Sequence, residues 1–313
     1  MVPAQYPARD EESREKFREA GRIACSARDL GFSMIQPGAL LRDVIDTVEA
    51  FIRDHGAGPA FPAQTSRNAI AAHYCPSPTD ETRYEPEDVA KLDVGVEVDG
   101  YVADTATTKY LGEDERRKQL VAASRAGLDA ALAVAAPGMA ITEISAEIER
   151  AIEGHGYRPV YNLTGHGVGR WTVHTAPQVP ASPERHDRSR LEPGMVVAIE
   201  PFATDGGGTV SERGRAEVFM ITRAPRKMKG IDPAAWAVIE AMNGLPFARR
   251  SFPASVSREA VEATLARLMR TGCMMAFPPL VDPDPAVRIS QAEHTILVLE
   301  DRIEVTTARG LDG

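Results

Sequence analysis

Residues Lys91 to Thr108 read KLDVGVEVDGYVADTATT, and their reading decides the fold. Leu92, Val94, Val96 and Val98 alternate with Asp93, Gly95 and Glu97, the period of a strand with one apolar face, and Asp99-Gly100 is a strong two-residue hairpin turn. Counting out from the turn sets the register: with Val98 paired to Tyr101, Gly95 faces Asp104. Asp93 and Asp104 then lie on one face of adjacent strands as diagonal neighbours, roughly 7 Å apart. Two carboxylates that close are costly to bury unless they share a proton or a cation sits between them. A solvated hairpin face is the plain alternative, and the rest of the chain decides between the two.

Upstream, Phe17, Ala20, Ile23, Ala24, Ala27 and Leu30 recur at helical spacing between Glu11 and Ile35, and Pro37-Gly38 ends the run. A second helix is predicted from Leu40 to His55, with Leu41, Val44, Ile45, Val48 and Ile52 on its buried stripe and a stop at Gly56. Downstream, a helix from Glu113 to Ala135 and another running to His155-Gly156 repeat this layout. A shift of 100 residues without a gap places Pro37, Gly38, Glu49, Ile52, His55, Gly56 and Pro59 on Pro137, Gly138, Glu149, Ile152, His155, Gly156 and Pro159. One copy at that period is an internal duplication, not a solenoid, which needs at least three units. Two α+β halves related by a pseudo-twofold leave a shared cleft, a usual place for a site.

The second half continues with Tyr161 to Pro180, where Gly165, Gly167 and Gly169 let the backbone pass close to something, and with the apolar strand Met195 to Phe202, which ends on Glu200. Residues 224–280 read as a helical insert or subdomain, with Ser257 as an N-cap and Gly272 as a stop. Strand character returns in Arg288 to Leu299, with Glu293 in its middle.

Composition sets outer limits. With 43% hydrophobic and 26% charged residues the chain is that of a soluble globular protein, and a net charge of −9 argues against broad nucleic-acid or anionic-membrane binding. The basic cluster Arg223, Arg226, Lys227 and Lys229 reads as a solvated loop. Cys25, Cys75 and Cys273 are widely spaced and odd in number, which suggests neither a disulfide framework nor a thiolate zinc site. A charged N-terminus without an apolar core segment, and no apolar run of about 18 residues, lead us to expect a cytoplasmic protein without a membrane span.

Asp93, Asp104, His166, Glu200 and Glu293 stand where strands and glycine loops should carry apolar or small residues. Four carboxylates and one imidazole suit a pair of hard or borderline divalent ions such as Mn, Fe, Co or Zn, and two ions roughly 3.5 Å apart can clamp and deprotonate a shared water.

KLDVGVEVDGYVADTATT, NLTGHGVG, VVAIEPF and AEHTILV, in that order, resemble the ligand motifs of the methionine aminopeptidases, a family with the duplicated "pita-bread" α+β fold. The likeness spans nearly the whole chain. The insert, AFPAQTSRNAIAAHY and LPFARR resemble the type II branch, and the short N-terminus resembles its archaeal-style members. The resemblance implies one catalytic domain over 1–313 with 224–280 as an insert, acting as a monomer. It implies that Asp93 holds one divalent ion (Co, Mn, Fe(II) or Zn), His166 and Glu200 a second, and that Asp104 and Glu293 bridge them. It makes Glu200 the proton acceptor for the attacking water, His73 the histidine near the scissile nitrogen and His174 the one that polarises the substrate carbonyl. It places Phe61 in the methionine pocket, with Asn68 and Leu163 as further candidates there. His55, His155 and His186 match no functional position. The implied reaction is removal of N-terminal methionine from nascent polypeptides with a small second residue, with transient ribosome association.

Two rivals share the fold. Xaa-Pro aminopeptidases and prolidases have a similar ligand set but usually an added N-terminal domain, whereas 92 residues precede Asp93 here and form the first half of the repeat. Non-catalytic binding proteins of this fold have lost ligands, and all five are present here.

Overall fold

The computed structural model describes residues 6–309. Its first half opens with helices α1 (Glu11–Met34) and α2 (Leu41–Asp54), then strand β1 (Gln64–Arg67) and the hairpin strands β2 (Val89–Val98) and β3 (Tyr101–Tyr110). The register is the one the turn dictates: Val98 faces Tyr101, Gly95 faces Asp104 and Asp93 faces Ala106. Asp99 and Gly100 both adopt positive φ, 52° and 88°, as a two-residue type I′ turn requires. The other edge of β2 pairs with β1, bringing Gln64 opposite Asp93. Leu41, Val44, Ile45, Val48 and Ile52 of α2 are all within 1% of full burial, packed with Leu92, Val94 and Val96 from the apolar face of β2. Burying aliphatic side chains of this size contributes about 1.5–3 kcal/mol each.

The second half repeats the plan with α3 (Glu115–Val134), α4 (Ile141–Gly154), β4 (Thr164–Gly169), β5 (Thr172–Pro180) and β6 (Val196–Ile199). The repetition extends to backbone detail. Neither α2 nor α4 has a capping side chain at its start. Instead the N–H of Leu41 donates to the Thr82 carbonyl at 3.0 Å, and that of Ile141 donates to the Ser189 carbonyl at 2.9 Å. A neighbouring loop thus satisfies helix donors that a Ser or Asp would otherwise take. At the other end, the rings of His55 and His155 lie 2.8 and 2.9 Å from the carbonyls of Phe51 and Ala151, and Gly56 and Gly156 follow at φ 76° and 80°. Both histidines are therefore helix-end residues.

After β7 (Phe202–Thr204) come β8 (Val218–Ile221), α5 (Pro233–Ala241), α6 (Arg258–Arg270) and β9 (Met274–Phe277). Ser257 caps α6 through the Ala260 N–H, and Gly272 follows it at φ 61°. The stretch 224–280 is not helical alone: β8 pairs with β9 on one side and with Phe247–Ala248 on the other, and α5 and α6 pack on this small sheet. MMAF is short enough for its strand pattern to be masked by the helix before it.

The strand expected from Arg288 to Leu299 is two strands, β10 (Ile289–Gln291) and β11 (His294–Val298), in different sheets. β10 pairs with β7, and β11 joins β6, β4 and β5 in the second half's main sheet. At the break the N–H of Ala292 donates to the Pro201 carbonyl and that of Glu293 to the Ala106 carbonyl at 3.0 Å. Glu293 thus sits in a crossing between sheets, with its main chain tied to β3. Among the described residues no helix is long and apolar enough to cross a membrane.

Candidate metal centre

A cavity of about 660 Å³ opens between the halves, and Asp93, Asp104, His166, Glu200 and Glu293 all line it. The first half supplies the two aspartates from its hairpin; the second supplies His166 from β4, Glu200 just past β6 and Glu293 from the crossing. Gly165 and Gly167 flank His166 because a Cβ on Gly165 would meet the Ala198 carbonyl oxygen at 2.5 Å, and one on Gly167 the Ala176 carbonyl oxygen at 2.4 Å. The stretch read as a glycine loop is therefore a strand pair packed too closely for side chains, with the imidazole held between.

His166 Nε2 lies 3.4 Å from Glu200 Oε1 and 3.9 Å from Asp104 Oδ2. Burial first, and the neighbouring His174 second, push its pKa down to about 3, so the ring is a neutral nitrogen donor at physiological pH. The acids shift the other way. Burial pushes Asp93 up to about 7, and Asp104, Glu200 and Glu293 rise well above the ordinary carboxylate range. Burial is the largest cause in each, and repulsion from neighbouring carboxylates adds to it for the last three. Among the described residues, Asp93 Oδ1, Asp104 Oδ1 and both carboxylate oxygens of Glu293 are buried without a hydrogen-bond partner. A carboxylate can only accept, and among the described residues no lysine or arginine forms an ion pair with this cluster, a need that a divalent cation fits. Asp104, His166 and Glu293 each offer a ligand atom within 4.8 Å of the others.

The remaining expected residues divide. His73 lines the cavity in a left-handed conformation, φ 64°, with its N–H donating to Gln64 Oε1 at 2.7 Å. Burial, with His174 second, pushes its ring down to about 4. His174 stacks edge-on to His166 with ring centroids 4.2 Å apart; its ring is open to the cavity, yet crowding by the surrounding protein lowers its pKa. Phe61 and Leu163 line the cavity too. Asn68 does not: its side chain is spent on Asp88 and on the Val89 N–H, bracing the β1 end at φ 56°. An Asn that tolerates a left-handed turn is a turn residue here.

Sequence reasoning passed over Gln291, whose Nε2 donates to Glu200 Oε2 at 3.4 Å and which also hydrogen-bonds Asp93. A glutamine two residues before Glu293 in an apolar strand was the available signal. It also passed over Lys91, fully buried two residues before Asp93 in the chain, whose Nζ donates to the carbonyls of Asn68, Val89 and Ile289. Pro246 and Phe277 from the stretch 224–280, with Val218 from β8 beside them, wall the cavity as well.

Buried acids and a neutral histidine gathered around such a deficit define a metal-dependent hydrolase, and the chain belongs to metallopeptidase family M24, whose model matches residues 15–230. Use of divalent metal comes with that membership. Over nearly its whole length it is similar to methionine aminopeptidases: that of Archaeoglobus fulgidus is 39% identical over 299 residues, 95% of this chain and 99% of that protein. Among solved structures, methionine aminopeptidase from Thermotoga maritima superposes with a TM-score of 0.71 at 24% identity, covering 96% of this chain and 99% of that one. Prolidase from Pyrococcus furiosus gives 0.62 at 19% identity, covering 98% of this chain but 66% of that one. These last two likenesses speak to the fold, which is the pita-bread fold.

Proposed function

We propose that this chain is a methionine aminopeptidase that removes the N-terminal methionine of nascent polypeptides whose second residue is small. The observation that carries the reading is the set of partnerless carboxylate oxygens facing His166 in the inter-half cavity, in a chain 39% identical to an archaeal methionine aminopeptidase. In this reading Asp93, Asp104, His166, Glu200 and Glu293 would hold two divalent ions from among Co, Mn, Fe(II) and Zn. When bound, the ions supply Lewis acidity and make water a nucleophile near neutral pH.

The chain's own groups do the rest. Glu200, beside His166 and raised in basicity by burial, takes the proton of the attacking water. His174, neutral and open to the cavity, donates to the carbonyl oxygen as charge develops there. His73, fixed by Gln64 through its main chain and kept neutral by burial, would hydrogen-bond the departing nitrogen, which would receive the proton that Glu200 took from the water. Phe61, wedged against Gly95, walls the pocket for the methionine side chain. We place the reaction in the cytoplasm, on N-termini presented by the ribosome, and treat the chain as a monomeric catalytic domain carrying 224–280 as a subdomain.

The test is hydrolysis of Met-Ala-Ser against Ala-Pro-Ala after chelation, with Mn, Fe(II), Co or Zn restored. Metal-dependent release of methionine alone supports the reading. Cleavage only before proline moves the chain to the prolidase group, and no hydrolysis with any metal favours a binding protein.

A further inference from the structure

We propose that the cleft continues outward as an apolar track for the substrate peptide beyond its third residue, formed by Met220 on β8 and Met275 on β9. The proposal rests on the aminopeptidase reading above. β8 and β9 pair antiparallel with Val218 opposite Phe277 and Met220 opposite Met275. Side chains alternate along a strand, so these four share one face of the small sheet. The opposite face packs against α5 and α6. The shared face turns toward the cleft, because Val218 and Phe277 line the cavity that holds the carboxylates.

Met220 and Met275 stand two residues further out on the same strands, about 7 Å along. Met275 is 48% exposed and Met220 half-buried, and neither joins a hydrophobic cluster among the described residues. The apolar wall that starts inside the cavity therefore continues to Met220, which is half-buried, and to Met275, which the described residues leave open to solvent. An extended peptide has the same two-residue period. With its N-terminus at the carboxylates, a peptide leaving along this wall sets alternate side chains first against Phe277 and then against Met275. Thioethers are unbranched and polarizable, so the pair accepts varied apolar side chains without selecting one. An enzyme that works on many chain ends needs that tolerance.

The test uses Met-Ala-Ser and two octapeptides that share this start and carry either leucine or glycine at the fourth and sixth positions. Metal-loaded wild-type protein should show a KM for the leucine peptide about five- to tenfold below that for the glycine peptide. The Met220→Ser/Met275→Ser double variant should bring the two values together, and Met275→Leu should keep them apart. Wild type that cleaves Met-Ala-Ser but treats both octapeptides alike overturns the track alone, as does a double variant that keeps the preference. Wild type that cleaves none of the three overturns the aminopeptidase reading and the track with it.

Discussion

Thr295 satisfies both main-chain polar groups of Asp104: its hydroxyl accepts from the Asp104 N–H at 2.8 Å and donates to the Asp104 carbonyl at 2.7 Å. Thr295 lies on β11 of the second half and Asp104 on β3 of the first, so one side chain joins the two sheets directly beneath the cluster. Thr295→Val keeps the shape and strands a buried N–H and C=O. We expect a loss of about 2 kcal/mol in chemical denaturation, and an unchanged midpoint would show that the strands repair the gap themselves.

Gly95 touches the ring that walls the pocket. A Cβ there would meet Phe61 Cε1 at 2.2 Å and Cδ1 at 2.5 Å, so Gly95→Ala must displace the ring. We predict a KM for Met-Ala-Ser raised about tenfold with metal content unchanged, since a small misplacement near the scissile bond is amplified. Equal KM values would remove Phe61 from the pocket.

Asp104→Asn should cut turnover at least about a hundredfold and weaken metal uptake while circular dichroism stays that of wild type, because an amide keeps the shape but not the charge. Turnover at the wild-type level would end its assignment as a ligand.

His73→Ala separates a different role. His73 lines the cavity and takes part in no ion pair among the described residues, so we expect turnover to fall about a hundredfold or more with bound metal unaltered. Parallel loss of both, measured by metal analysis of the purified variant, would make His73 a ligand.

The pH dependence of metal stabilisation follows from the shifted acids. Asp93 is raised to about 7 and Asp104, Glu200 and Glu293 well above the ordinary range, whereas unfolded carboxyls titrate near about 4. Between those values the folded, metal-free chain binds more protons than the unfolded one, so these groups contribute less stability as pH rises. His73 and His166, lowered to about 4 and about 3, act oppositely and lose stability as pH falls below the ordinary imidazole range. A divalent ion takes the place of the protons. The thermal shift on adding Mn to chelated protein should therefore be larger at about pH 8 than at about pH 5.5, and a shift that shrinks with rising pH would contradict the acid cluster's part in binding.

The hairpin register was legible because period-two alternation and an Asp-Gly turn admit one pairing, and the duplication because matching helix stops recur 100 residues apart. Glu293's place was not: Thr295 to Val298 just after it are all strand formers, and the break exists because its N–H is drawn to Ala106 on another sheet, a contact no local pattern encodes. Asn68 misled for a related reason, since a polar residue near His73 in sequence had its partners on Asp88 and Val89. Gln291 was visible as a polar residue in an apolar strand, but only the fold brings it to Glu200.

Asp93 and Glu293 come from opposite halves and stand 200 positions apart in the chain. Closing so long a loop is slow, and neither half alone carries the whole cluster. Catalytic competence is then a late property of the maturing chain, gained when the crossing at Ala292-Glu293 docks on β3. A bound ion would bolt the duplicated halves together, so chelation should loosen the seam between them before either half unfolds.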